Sequence, residues 1–263
     1  MKTISLLWIV SILFICGCKK EDNTPESSQE SSVGYIIITP SCLLDSIVNA
    51  TIPLSNYYKY DSQKRLVYHF SKQPNGATSS IHIYRYEGNK LIDTVYQGTN
   101  GSVNPTPRSI DVHYLNAMGL IDSTKTVSGM IKFRYTYNNQ GYLIRELRYS
   151  EFSEVPYIIY GQSHRYENGN RISSYTLSFD VEGNIIDSTL SLSYTYDKTT
   201  PNDYEVWQTW VNRKGRANSN ALLTNPGGRF TYKLNSNGFP TSIDFYDFYY
   251  ERTSTSFLNW QCR

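Results

Sequence analysis

One short order of residue types recurs along the chain and restricts what it can fold into. It runs aromatic, any residue, aromatic, then an acidic or amide residue, a short polar turn and an aliphatic residue. The copies are YKYDSQKRL (58–66), YRYEGNKL (84–91), HYLNAMGLI (113–121), YTYNNQGYL (135–143), HRYENGNRI (164–172), SFDVEGNII (178–186) and TYKLNSNGFP (231–240). Residues two apart share a face of a strand, because side chains alternate with period two. Asp and Asn then mimic a backbone turn with their side chains, and Gly accepts the positive φ of a tight hairpin or bulge. Each copy therefore predicts one β-hairpin.

The flanks agree with this reading. In LSLSYTYD, Leu190, Leu192, Tyr194 and Tyr196 share one face and Ser191, Ser193 and Thr195 the other. In KFRYTYN, Phe133, Tyr135 and Tyr137 oppose Lys132, Arg134 and Thr136. One apolar and one wet face is the pattern of an antiparallel sheet covered on one side. The 24 tyrosines favour strands in the same way. The expected fold is all-β: an antiparallel meander of repeated hairpins, curved into an open barrel or shell with the tyrosine face inside.

The first residues differ in kind. MKTISLLWIVSILFICGC carries one cation, Lys2, and then an apolar stretch from Ile4 to Cys16, shorter than the roughly 20 residues a membrane-spanning helix needs. It reads as a secretory signal. Its end, Ile15-Cys16-Gly17-Cys18, resembles the bacterial lipobox, which implies lipidation of Cys18. The polar stretch that follows, KKEDNTPESSQESS, lacks the apolar residues needed to fold and reads as a tether. Lys20-Glu21-Asp22 resembles the export signal of surface lipoproteins of the Bacteroides group; a solvated linker is the alternative. The expected organisation is a signal over 1–17, a tether over 18–34 and a single β domain over 35–263.

Within that domain the hairpin order resembles the tyrosine-aspartate (YD or Rhs-type) repeats, and in particular the YD-like lipoproteins of the Bacteroides group. The likeness covers about 57–250. Lys64 stands where Gly is expected, and Leu115 and Lys233 follow the aromatic where Asp would. The resemblance implies an outer-membrane location, with the extracellular face favoured over the periplasmic one, and it carries no catalytic residues.

Charge and motifs limit the function classes. The 25 Lys and Arg against 23 Asp and Glu leave no electrostatic footprint for nucleic acid. The chain contains no G-x-S-x-G, no H-E-x-x-H and no P-loop. His69, His82, His113 and His164 sit inside strand patterns and predict structural roles. No enzyme activity, cofactor or metal site is expected. The expected partners are a membrane, through the lipid anchor, and either a polysaccharide or another envelope protein.

Four further readings name residues. Cys42 and Cys262, one at each end of the β domain, either pair as a disulfide in an oxidising compartment or remain free thiols. The phrase LLDS, LIDT, LIDS, IIDS (43–46, 91–94, 120–123, 185–188) has two readings. It marks a cross-strand polar pair on a solvent face, or it resembles an O-glycosylation signal of the Bacteroides group at Ser46, Thr94, Ser123 and Ser188. In DFYDFYYE (244–251) strand alternation puts Phe245, Asp247 and Tyr249 on one face and Tyr246, Phe248 and Tyr250 on the other. Tyr246, Phe248 and Tyr250, with Trp207 and Trp210, are the candidate ligand-binding aromatics. The stretch 212–229 reads as one long loop carrying Arg213, Lys214, Arg216 and Arg229.

Overall fold

The computed structural model describes residues 42–50, 54–99, 102–151, 155–201, 220–237 and 239–262. All belong to one unit, Val33–Arg263. Eighteen strands follow one another: β1 (Cys42–Asn49), β2 (Ser55–Tyr60), β3 (Leu66–Lys72), β4 (Thr78–Glu87), β5 (Lys90–Thr99), β6 (Ser102–Val103), β7 (Ser109–Leu115), β8 (Ile121–Thr126), β9 (Ile131–Tyr137), β10 (Leu143–Tyr149), β11 (Ile158–Glu167), β12 (Asn170–Phe179), β13 (Ile185–Ser193), β14 (Thr195–Pro201), β15 (Asn220–Asn225), β16 (Gly228–Leu234), β17 (Pro240–Asp247) and β18 (Arg252–Cys262). All ladders are antiparallel, and β18 pairs back onto β1. The sheet is thus a nearly closed barrel with one seam. The seam falls between β13 and β14, which are one chain direction interrupted at Tyr194. β13 pairs with β12 and β14 with β15, and among the described residues no ladder joins β13 to β14.

All seven aligned copies form hairpins, and six of their turns lie at the same end of the barrel. Two turn designs share the work. Asp61, Asn116, Asn138 and Asn235 each begin a longer turn, in which their Oδ1 accepts the backbone N–H groups two and four residues on. The β4–β5 and β11–β12 hairpins instead use two-residue loops, Gly88-Asn89 and Asn168-Gly169. In the turns opened by Asp61, Asn116 and Asn138 the fourth residue has positive φ, supplied by Gly119 (74°) and Gly141 (85°) in two of them; Lys64 holds the same conformation at 62°. A non-glycine residue there costs about 1–2 kcal/mol, partly offset by the greater freedom of Gly in the unfolded chain. Lys64→Gly is accordingly expected to stabilise the barrel by about 0.5–1 kcal/mol, read as a raised urea midpoint at unchanged slope.

In four copies a tyrosine before the turn has a specific task. Tyr60 donates its hydroxyl to the carbonyl of Leu44 (2.7 Å), Tyr86 to Leu66 (3.0 Å), Tyr137 to Ile121 (2.6 Å) and Tyr232 to Leu222 (2.8 Å). Trp260 does the same with its indole N–H to Pro240 (2.7 Å). In each case the acceptor lies near the turn end of the preceding strand, so the aromatics bolt one hairpin to the next where backbone carbonyls would otherwise be buried unpaired. Tyr196 on β14 reaches Arg171 on β12 (2.7 Å) and so spans the seam.

These rungs surround the main core. Leu44, Leu66, Leu120 and Leu258 are buried, packed by Tyr58, Tyr60, Tyr84, Met118, Tyr137, Ile243 and Trp260. Side chains from strands that are not ladder neighbours meet only on the concave face, so this face is the inside. The core fills one end of the barrel, the end where β1 begins and β18 finishes. Elsewhere the extensive strand contacts are between ladder neighbours. Exposed Lys59, Arg85, Arg134, Arg165 and Lys233 alternate with the inward aromatics and mark the outer face.

Tyr135, Tyr137, Tyr58, Tyr60, Tyr84 and Tyr86 follow the expected inward alternation. The expectation for Leu190, Leu192, Tyr194 and Tyr196 does not hold as one face. The register slips between Leu190 and Leu192, which pair with adjacent residues Tyr175 and Ser174, and Leu190 is 57% exposed. A bulge inserts one residue and resets the alternation.

Candidate functional site

β17 ends at Asp247, and the next four residues form the tip of the β17–β18 hairpin. Asp247 Oδ1 accepts the N–H groups of Tyr249 (2.8 Å) and Tyr250 (3.1 Å), which ends the strand. The Phe248 N–H donates to the Gly227 carbonyl (3.0 Å), fastening the tip to the neighbouring β15–β16 turn. That turn needs Gly228: a Cβ there would collide with the Tyr246 carbonyl and the Phe245 ring.

The alternating-face reading of 244–251 therefore fails beyond Asp247, because an Asx turn replaces the strand. The outcome is a more exposed aromatic group. Phe248, Tyr249 and Tyr250 are 49%, 84% and 62% exposed. Tyr249 and Tyr250 meet edge to face at 4.8 Å, and Tyr246 lies 6.0 Å from Phe248. The guanidinium of Arg252 sits over Tyr250 at 4.9 Å and that of Arg229 over Tyr246 at 5.0 Å. Rings held at right angles at a rigid hairpin tip, each pair flanked by a cation, offer a stacking surface for a flat apolar ring face and donors for the hydroxyls around it.

The four histidines all face the interior. His69 stacks between Tyr58 (4.9 Å) and His82 (5.2 Å), and its Nε2 lies 3.2 Å from Asn56 Oδ1. Burial, then the neighbouring His82, lower its pKa to about 4. His164 Nδ1 is 2.8 Å from Ser174 Oγ, and burial followed by Arg171 lowers its pKa to about 4 as well. His113 Nδ1 lies 2.8 Å from Thr124 Oγ1. Ser174 and Thr124 are 1% and 2% exposed, so neither hydroxyl is placed to meet a substrate. His82 Nδ1 is 3.2 Å from both carboxylate oxygens of Asp93. This corrects the placement of Asp93 on a solvent face: pairing with Tyr84 in the β4–β5 ladder turns it inward. Among the described residues no group of three or more His, Cys, Asp or Glu is arranged to hold a metal.

Other sequence candidates separate by position. Ser46 and Ser123 are buried, Ser46 accepting a hydrogen bond from Asn259. Thr94 is half-buried between β4 and β7. Ser188, on β13, is the exposed member of the four. Cys42 is disulfide-bonded, and the residue opposite it across the β1–β18 ladder is Cys262. Cys18, Trp207, Trp210, Arg213, Lys214 and Arg216 lie outside the described residues. The stretch 212–229 is not one loop, since 220–225 form β15 and the hairpin to β16 follows. Sequence reasoning grouped Tyr249 with the wrong neighbours and passed over Lys125, Arg134 and Arg145, which line a cleft of about 530 Å³ over β8–β10. Arg134 stands among aromatics in KFRYTY and Arg145 in LIRELRY, but nothing in the sequence joins them to each other or to Lys125.

Among solved structures, this chain resembles a porin-like protein from Bacteroides uniformis with a TM-score of 0.53 at 14% identity, covering 83% of this chain and 98% of that one. A porin-like protein from Bacteroides vulgatus aligns over 84% of this chain and 99% of its own, with a TM-score of 0.46 at 11% identity. No family model and no curated protein sequence matches. At such identity the first likeness establishes the barrel fold and nothing finer.

Proposed function

We propose that this chain is a lipid-anchored outer-membrane protein that displays its barrel at the cell surface and captures a glycan. The observation that carries the reading is the hairpin tip, where Phe248, Tyr249 and Tyr250 stand exposed beside Arg252. Aromatic side chains in water, held rigid and not covered by the fold, are the usual means of stacking on sugar rings. The signal-like N-terminus with Cys18 supports the anchor, and the description of the structural neighbours as porin-like supports the outer membrane. The outer face favours anchoring over spanning. A lipid-crossing barrel presents an apolar band, and each Lys or Arg at mid-membrane costs about 2–4 kcal/mol. Arg134 is exposed at the middle of β9, and Lys59, Arg85, Arg165 and Lys233 are exposed nearer the turn ends of four other strands, where the cost is smaller.

The test is affinity electrophoresis of the chain from residue 18, carrying Cys18→Ser, against plant, host and microbial polysaccharides. Retardation by one of them is expected, with at least a tenfold loss when Phe248, Tyr249 and Tyr250 are changed to Ala and the far-ultraviolet dichroism is unchanged. Unaltered migration across the panel would reject the reading. It would favour the second one, an envelope protein that binds another by strand addition, for which the exposed β13 beside the seam is the supporting feature.

A further inference from the structure

The cleft over β8–β10 lies on the outer face. It is lined by Lys125, Arg134 and Arg145, with Asp122 as the one carboxylate and Tyr149 and Ser123 beside them. Some cations of this barrel are matched by a carboxylate: Arg65 pairs with Asp61 at 2.7 Å, Arg85 with Glu87 at 2.7 Å, and Lys132 with Asp111 at 2.9 Å. The three cations of the cleft have no ion-pair partner among the described residues. Arg145 is the most telling, because its Nε is buried and has no hydrogen-bond partner. A guanidinium taken partly out of water without a counter-charge is costly, and an anion brought to its remaining donors would relieve that cost.

We infer that this cleft binds the anionic groups of an acidic polysaccharide, sulfate esters or uronate carboxylates. The inference rests on the glycan-capture reading and names the class of glycan. Arg134 faces Ser123 and Leu147 across its ladders, and Arg145 faces Thr136. The cations thus come from three adjacent strands, which at roughly 4.8 Å per strand spreads them over about 10 Å. Cations spread in this way suit a chain with a charge on each of two successive sugars. Tyr149 supplies a ring surface in the same cleft, with the Arg134 guanidinium 5.9 Å from its centre. Guanidinium groups take oxyanions in a two-point fork, which suits both sulfate and carboxylate.

The experiment measures gel retardation of the chain from residue 18 (Cys18→Ser) by heparin, polygalacturonate and neutral dextran, at low and high salt, together with melting shifts in sodium sulfate and co-sedimentation with phosphatidylserine vesicles. The expected result is retardation by an acidic polymer that weakens steeply with salt, falls at least tenfold in Arg134→Gln/Arg145→Gln, and falls in Lys125→Gln/Arg134→Gln if the first variant does not fold. Equal retardation of wild type and cleft variants by the acidic polymers overturns the inference. Retardation by neutral dextran alone, lost in the tip variant and kept in the cleft variants, overturns it while leaving glycan capture standing. A sulfate shift of full size with no polymer retardation makes the cleft a free-anion site, and vesicle binding lost in the cleft variants makes it a lipid-headgroup site. Either result overturns the polysaccharide assignment.

Discussion

Lowering the pH from 7 to 4.5 should destabilise the barrel by several kcal/mol, and His69 and His164 should account for much of that loss. Both rings are neutral in the folded protein, with pKa values lowered from 6.5 to about 4, chiefly by burial. In the unfolded chain they titrate near 6.5, so between 6.5 and 4 the unfolded state binds protons that the folded state refuses. Stability is therefore complete above pH 6.5 and falls as the pH drops towards 4, below which these two groups cause no further loss. A depression of that size corresponds to on the order of 2–3 kcal/mol for each ring. Around His69 the titrating neighbours are His82, which adds to the depression, and Asp93, which opposes it. Around His164 the fixed charge of Arg171 adds to the depression. The measurement is the urea unfolding free energy at pH 7 and 4.5 for wild type and His164→Gln, which keeps a polar partner for Ser174. The variant should lose about half as much stability on acidification. Identical pH dependence in the two proteins would refute the assignment.

Reduction should cost the domain even more than acid. Cys42 is disulfide-bonded, and Cys262 faces it across the last ladder of the meander. We propose that these two are bonded to each other. A link between the first and last strands would close a loop of nearly the whole domain, which the chain-entropy account values at about 5 kcal/mol. The β1–β18 ladder and its side-chain bonds, such as Gln261 Nε2 to Asp45 Oδ1 at 2.7 Å, persist after reduction, so the barrel should remain folded but melt earlier. Peptide mapping without reductant should recover Cys42 and Cys262 in one linked species. Thiol alkylation with no change in mass or midpoint between oxidised and reduced samples would dismiss the bond.

The parts of this fold that were legible in the sequence are those in which one residue type has one physical task. Asx at a turn start, an aromatic two residues from another and Gly at positive φ each report local geometry. The hairpins at the core-filled end could therefore be read directly. At the other end the signals differ. The turn after β8 is closed at Thr126–Met130 without a preceding aromatic pair, and the one after β3, closed at Gln73–Ala77, is separated from Tyr68 and Phe70 by Ser71 and Lys72 and has no Asx at its start. The seam was not legible, since Tyr194 continues the alternation of its flanks and only the bulge at Ser191 breaks it. The aromatic hairpin tip was half legible. Its aromatic content was plain, but Asp247 looked like one more strand residue until its carboxylate was seen to cap the turn. The cationic cleft was not legible because its members lie on three strands and meet only through register.

Strand direction alone distinguishes the two ends of the barrel. β1 starts, and β18 stops, at the end filled by Leu44, Leu66, Leu120 and Leu258. The turns there carry polar residues such as Ser62, Asn89, Asn139 and Asn168, whereas Val127, Val155, Val181 and the Phe248–Tyr250 tip stand exposed at the other. The exposed aromatic residues therefore gather at the rim opposite both ends of the sheet, so whatever approaches them meets neither the first nor the last residue of the barrel.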